Sequence, residues 1–148
     1  MLVREILRVK GGTLYTATPQ QSLASAIDLM ADLDLGSLVV MEGGKMVGML
    51  TFREVLRAMK QSGMQPDSVT VGQVMMAEPA TGYPDMEAND LRRLMIDKHS
   101  RYLPIVENGV LLGVISFLDV AKAVLEEQSF ENKMLKNYIK NWPDETPA

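Results

Sequence analysis

The chain contains no cysteine, which excludes disulfides, thiolate metal sites and a cysteine nucleophile. It contains one histidine, His99, so neither a histidine metal cluster nor a Ser-His-Asp triad with a choice of bases is provided for. No run of Lys or Arg exceeds two residues and the net charge is −4. A basic nucleic-acid surface and a polybasic membrane patch are therefore not expected. No apolar run approaches membrane-spanning length, and the start Met1-Leu2-Val3-Arg4-Glu5 lacks the long apolar stretch of a signal peptide. These absences leave the expectation of a soluble, cytoplasmic protein that is not an enzyme.

What the chain does have is an internal repeat. Tyr15–Lys60 lies over Ala80–Leu125 at a constant offset of 65 with no gap and twelve identities. Among them are Pro19 with Pro84, Leu29-Met30 with Leu94-Met95, Gly44 with Gly109 and Phe52 with Phe117. The clearest shared stretch is Gly48-Met-Leu-Thr-Phe-Arg-Glu54, which returns as Gly113-Val-Ile-Ser-Phe-Leu-Asp119. Two homologous units of about 60 residues account for this pattern. At 148 residues with 47% hydrophobic content, two small halves sharing buried surface can fold unaided. Twelve methionines fit an adaptable core or ligand surface.

Each unit reads as strand-helix-strand-strand-helix. In the first, Leu2–Leu7 forms a short helical turn before the pair Gly11-Gly12, and Leu14–Ala17 a brief strand. Ser22 caps a helix whose apolar face is Leu23, Ala26, Ile27, Met30 and Leu33. Leu38–Met41 and Met46–Leu50 form a hairpin turned at Gly43-Gly44, and a helix follows Thr51. The polar stretch Gln61–Ser68 links the units. Thr70 then caps a short helix through Met75, followed by a strand near Thr81–Tyr83, helix Glu87–Lys98, strands Tyr102–Val106 and Val110–Ile115, and a helix from Phe117. That last helix continues past Leu125 with an apolar stripe through Phe130, Met134, Leu135, Tyr138 and Ile139, and stops at Trp142-Pro143. Boundaries follow at 1–62, 69–125 and 126–142, with 143–148 a disordered tail. The fold class is α+β, two units packed sheet to sheet about a pseudo-twofold axis, because a hairpin plus one strand leaves an apolar face open in each.

The ends of the two motifs allow two readings. A hydroxyl at the N-cap with a carboxylate three residues on is a capping box, and on pattern alone this reading leads. The other reading is a polar ledge, in which helix amides favour phosphate and the acid takes both hydrogens of a ribose diol. The apolar strand, Gly-rich hairpin and doubled Gly-h-h-Thr/Ser-x-x-Glu/Asp motif, with Leu103-Pro104-Ile105-Val106 upstream in the second copy, resemble the tandem CBS domain pair, or Bateman module. The resemblance covers Leu2–Leu125. It implies a regulatory module with no required cofactor that binds an adenine nucleotide such as AMP, ATP or an NAD-like dinucleotide between the units, with a homodimer and a regulated protein as partners.

Carried over residue by residue, the resemblance puts ribose-binding acids at Asp119 and Glu54 and hydroxyls at Ser116 and Thr51. Glu54 departs from the family's Asp, and its extra methylene moves the carboxylate outward by about 1.5 Å, which makes the Asp119 pocket the better ribose holder. Arg53, His99 and Arg101 fall at phosphate-facing positions, beside Tyr102 and Pro104 on the central strand. The strand starts Tyr15-Thr16-Ala17 and Gly82-Tyr83 offer backbone and apolar groups to the base, and Tyr83 a stacking ring. The apolar stripe after Leu125 suits an oligomer contact. The competing expectation is a ligand-free interaction module in which both motifs serve only as caps.

Overall fold

A computed structural model describes residues 1–61 and 65–140. Part of the Gln61–Ser68 linker, the helix stop at Trp142-Pro143 and the tail lie outside the described residues. The elements, in order, are α1 (Val3–Lys10), β1 (Thr16–Ala17), α2 (Leu23–Asp32), β2 (Ser37–Glu42), β3 (Lys45–Thr51), α3 (Phe52–Lys60), α4 (Val71–Val74), β4 (Met76–Ala77), α5 (Ala88–Asp97), β5 (Tyr102–Glu107), β6 (Val110–Ser116) and α6 (Phe117–Lys140).

The hairpins repeat one another in detail. Gly43 and Gly44 have φ of 59° and 77°, and Asn108 and Gly109 have 51° and 78°, the two left-handed residues of a tight turn whose twist matches its strands. Each hairpin also slips register at one place, after the Val40–Gly48 pair in the first and after Ile105–Gly113 in the second. The bulge leaves Val47 and Leu112 unpaired and increases the twist just before each motif. Ser22 caps α2, its hydroxyl accepting from Ser25 N at 3.1 Å.

Two strand expectations need correction. The strand near Thr81–Tyr83 is a single parallel bridge, Gly82 to Ile105. Gly82 donates to Pro104 O and accepts from Val106 N, each at 2.9 Å. A side chain there would meet Leu91 and Ile105 at 2.8 and 2.9 Å, so the chain crosses the sheet edge closely and leaves at once. Conversely, Met76–Ala77, with no strand expected, pairs with β3 opposite Met49 and Gly48. The first sheet therefore runs β1-β2-β3-β4, while β5-β6 is a separate pair.

β4 belongs to a broader exchange between the units. Helix α1 packs on the second unit, its Val3 and Ile6 in one core with Leu91, Met95, Leu103, Ile105 and Ile115. Helix α4 packs on the first, its Val71 in the other core with Leu23, Leu38, Val40 and Leu50. The backbone ties are equivalent: Val3 N to Met86 O and Val71 N to Gln21 O at 2.8 Å, Arg4 N to Pro84 O and Gly72 N to Pro19 O at 2.9 Å. Fully burying one such Leu or Ile contributes about 1.5–3 kcal/mol, so each unit's stability depends on a helix that precedes the other. Strands β3 and β6 approach each other where the units meet.

Candidate functional site

Both motifs close as capping boxes. At the first, Glu54 Oε1 accepts from Thr51 N at 2.8 Å and from the Thr51 hydroxyl at 2.6 Å, while Thr51 Oγ1 accepts from Arg53 N at 3.2 Å. At the second, Asp119 Oδ2 accepts from Ser116 N at 2.9 Å and Ser116 Oγ accepts from Asp119 N at 3.1 Å.

Beyond the cap the two acids differ. Glu54 is 5% exposed, its Oε2 is buried without a hydrogen-bond partner, and no ion pair reaches it among the described residues. Asp119 keeps 26% of its side chain exposed and pairs with Lys10 Nζ at 2.7 Å. Burial pushes the Asp119 carboxyl upward, but the hydrogen bonds from Lys10 and Ser116 outweigh it and hold the group below its ordinary value. Lys10 reaches Asp119 because α1 runs to residue 10, whereas α4 ends at Val74 and turns into β4.

Two clefts lie at the junction of the units, related by the same offset as the repeat. The first, about 400 Å³, is walled by Thr51, Phe52 and Arg53 from one unit and by Pro79 and Ser100–Leu103 from the other. The second, about 600 Å³, is walled by Ser116, Phe117 and Leu118 on one side and by Leu14, Tyr15 and Asp34–Ser37 on the other, with Lys10 at its edge. Arg101 and Tyr102 line both. In the second cleft Gly36 occupies the position that Arg101 has in the first. A Cβ on Gly36 would sit 1.7 Å from the Tyr102 hydroxyl, so that ring takes the space.

The structure thus brings together Thr51, Arg53, Arg101 and Tyr102 in one cleft and Ser116, Arg101 and Tyr102 in the other, with Asp119 reached through Lys10. His99 enters by its backbone. It sits left-handed at φ 53° after α5, as Asp34 does at 54° after α2, and its carbonyl accepts from Arg53 Nη2; its ring lines neither cleft. Thr16, Ala17, Gly82, Tyr83 and Pro104 do not line the clefts either. Ala17 is buried, Tyr83 is 56% exposed, and Pro104 is buried within β5 opposite Val114. Sequence reasoning missed Lys10 altogether, since α4 is too short to give it a counterpart and the repeat cannot flag it. Tyr15, expected near the base, does line the second cleft, and Asp34 joins it from the turn that matches the one carrying His99.

No group of three or more His, Cys, Asp or Glu residues able to hold a metal occurs among the described residues. No described helix is long and apolar enough to cross a membrane.

The fold is that of a known family. The CBS domain model matches residues 3–61 and again 71–126; the chain belongs to the CBS domain family and is a tandem CBS pair with a helical extension. It is 33% identical over 115 residues to the CBS domain-containing protein YhcV of Bacillus subtilis, covering 77% of this chain and 81% of that one. A crystal structure of the CBS-domain protein ATU1752 from Agrobacterium tumefaciens superposes with a TM-score of 0.79 at 27% identity, covering 83% and 98% of the two chains. The CBS domain pair of protein MJ0100, solved with 5′-methylthioadenosine and S-adenosyl-L-methionine, shares the fold at a TM-score of 0.74 and 19% identity, over 86% and 98% of the chains.

Proposed function

We propose that this module is a regulatory sensor, not a catalyst, and that it binds an adenine nucleotide in the cleft beside Asp119. The observation that carries this reading is the state of Asp119: ionised, partly exposed, anchored by Ser116 and paired with Lys10, whose ammonium also donates to Val114 O at 2.8 Å and so keeps an anchor if it leaves the carboxylate. A ribose diol would take Lys10's place on the carboxylate, and the released ammonium would be free to meet a phosphate together with Arg101. Tyr15 and Phe117 in the same cleft offer apolar faces to the base. That a protein of the same fold holds adenosine compounds supports the ligand class at the level of fold. AMP, ATP and an NAD-like dinucleotide all present the required diol. Occupancy would be passed on through contacts with a second copy, for which the exposed stripe Phe130, Met134, Leu135 and Ile139 on α6 is suited, or with a regulated protein.

A second reading has its own observation. Both acids already have partners without any ligand, Glu54 in its cap and Asp119 on Lys10, as a purely structural interaction module requires. Calorimetric titration with AMP, ATP and NAD separates the two. The sensor reading expects saturable binding that Asp119→Ala weakens by roughly 10- to 150-fold, the worth of hydrogen bonds to a charged group, while Glu54→Ala leaves it unchanged. No binding at millimolar nucleotide would favour the structural module, and unchanged binding in Asp119→Ala would remove the ribose site from this cleft.

A further inference from the structure

The first cleft has lost the feature that makes the second a nucleotide site. Its acid, Glu54, is 5% exposed and spent on Thr51; neither acid lines its cleft directly, but Asp119 keeps 26% of its side chain exposed and is reached through Lys10. No carboxylate lines the first cleft among the described residues. The Thr51 hydroxyl gives its proton to Glu54, so it has no hydrogen to offer a ligand. What remains is an apolar wall, Ser100 and Tyr102, and two arginines. Phe52 and Leu56 are 60% and 72% exposed in a concavity shared with Met49 and Met76, and large apolar side chains left uncovered in a cleft mark a binding surface.

The cations are placed at the junction of the units. Arg53 donates one N–H to the His99 carbonyl, which fixes its guanidinium across the junction and leaves its remaining donors oriented. Arg101, on the facing turn, lines the same cleft. Two guanidiniums without a carboxylate select an anion, and the volume of about 400 Å³ lies within the range of small-molecule sites, about 300–1,000 Å³.

We infer that the first cleft binds an amphipathic anion: a small molecule with an apolar body and a phosphate or carboxylate head, recognised without a ribose diol. The head meets Arg53 and Arg101, and the body covers Phe52, Leu56 and Met76. The module is then a two-input device whose clefts take different classes of ligand. This goes beyond the nucleotide reading of the second cleft and does not need it to be correct.

Octyl phosphate is a suitable probe, with inorganic phosphate as the control for the head alone, titrated calorimetrically into the full chain. The expected result is saturable one-to-one binding that inorganic phosphate does not reproduce. Arg101→Met should weaken it at least about tenfold by removing a charge-assisted bond, and Leu56→Asp by a similar factor through the lost apolar contact. Both side chains are exposed, so thermal melts should show the variants folded. Arg101 borders both clefts, so saturating AMP should weaken octyl phosphate by no more than Arg101→Met does and should not displace it. No saturation below millimolar probe, or binding indifferent to both substitutions, would overturn the proposal. Displacement by AMP in direct competition would overturn it too, by making this cleft a second nucleotide site. If the chain binds no nucleotide at all, the octyl phosphate and phosphate titrations still decide the question alone.

Discussion

The two ends of the repeated motif have nearly the same backbone and opposite fates for their acids. At Ser116–Asp119 the shorter side chain caps its helix with one oxygen and stays partly exposed, paired with Lys10 at the cleft edge. At Thr51–Glu54 the longer side chain curls back to take both the amide and the hydroxyl of Thr51, burying its second oxygen without a partner. One added methylene converts a group that can serve a ligand into one that serves the fold. The leading helices sharpen the difference: α1 is long enough to send a lysine to its motif, and α4 gives way to a strand that seals the other.

The motif glycines test that sealing most directly. A Cβ at Gly48 would stand 2.6 Å from the backbone carbonyl of Met76, so alanine must push β4 off the sheet edge. At Gly113 the nearest atom is the Leu7 side-chain methyl at 3.0 Å, which can give way. Gly48→Ala should therefore lower stability by about 2–3 kcal/mol and Gly113→Ala by less than about 1 kcal/mol, read from paired urea denaturations. Equal costs would show that β4 does not hold the first motif in the way described.

The acids come next in size. Glu54→Ala removes a cap with two short hydrogen bonds from a buried position and should cost about 1–2 kcal/mol. Asp119→Ala removes a partly exposed cap and should cost about 1 kcal/mol or less. The ranking inverts in nucleotide titrations, where only Asp119→Ala matters. A variant pair that moves stability and binding in the same order would remove the division of labour between the two ends.

Much of this is legible in the amino-acid sequence, for identifiable reasons. The repeat, the hairpins and Ser22's cap follow from short-range rules, and Gly43-Gly44 and Asn108-Gly109 state their turns outright. The capping reading of Thr51–Glu54 and the inequality of the two acids were visible in one residue difference. What could not be read was long-range: that α1 belongs to the second core and α4 to the first, that Met76-Ala77 completes a sheet begun 60 residues earlier, and that Lys10 lands on Asp119. Each of these depends on where the chain crosses between units, which neither periodicity nor motif spacing records. His99 is the reverse case. Its chemistry drew attention to the ring, while the position demanded a left-handed residue after a helix, a role Asp34 fills equally well.

The smallest effect concerns Lys10, which exists only on one side of the comparison. The Asp119 carboxyl lies below its ordinary value in the folded chain, with Lys10 among the causes. A depressed carboxylate contributes stability that is present above its unfolded pKa and disappears as pH falls through the folded one. Lys10→Met should therefore cost stability at neutral pH, and the gap between variant and parent should narrow below about pH 4 as Asp119 protonates in both. Because the pair is partly exposed, at 37% and 26%, solvent screens it and the neutral-pH cost should be about 0.5 kcal/mol. Urea midpoints measured between pH 7 and pH 3 would show the convergence, and 1 M salt at pH 7 should shrink the same gap. A gap that stays constant with pH would mean that Lys10 acts through its bond to Val114 O and its packing against β6, and not through its charge on Asp119.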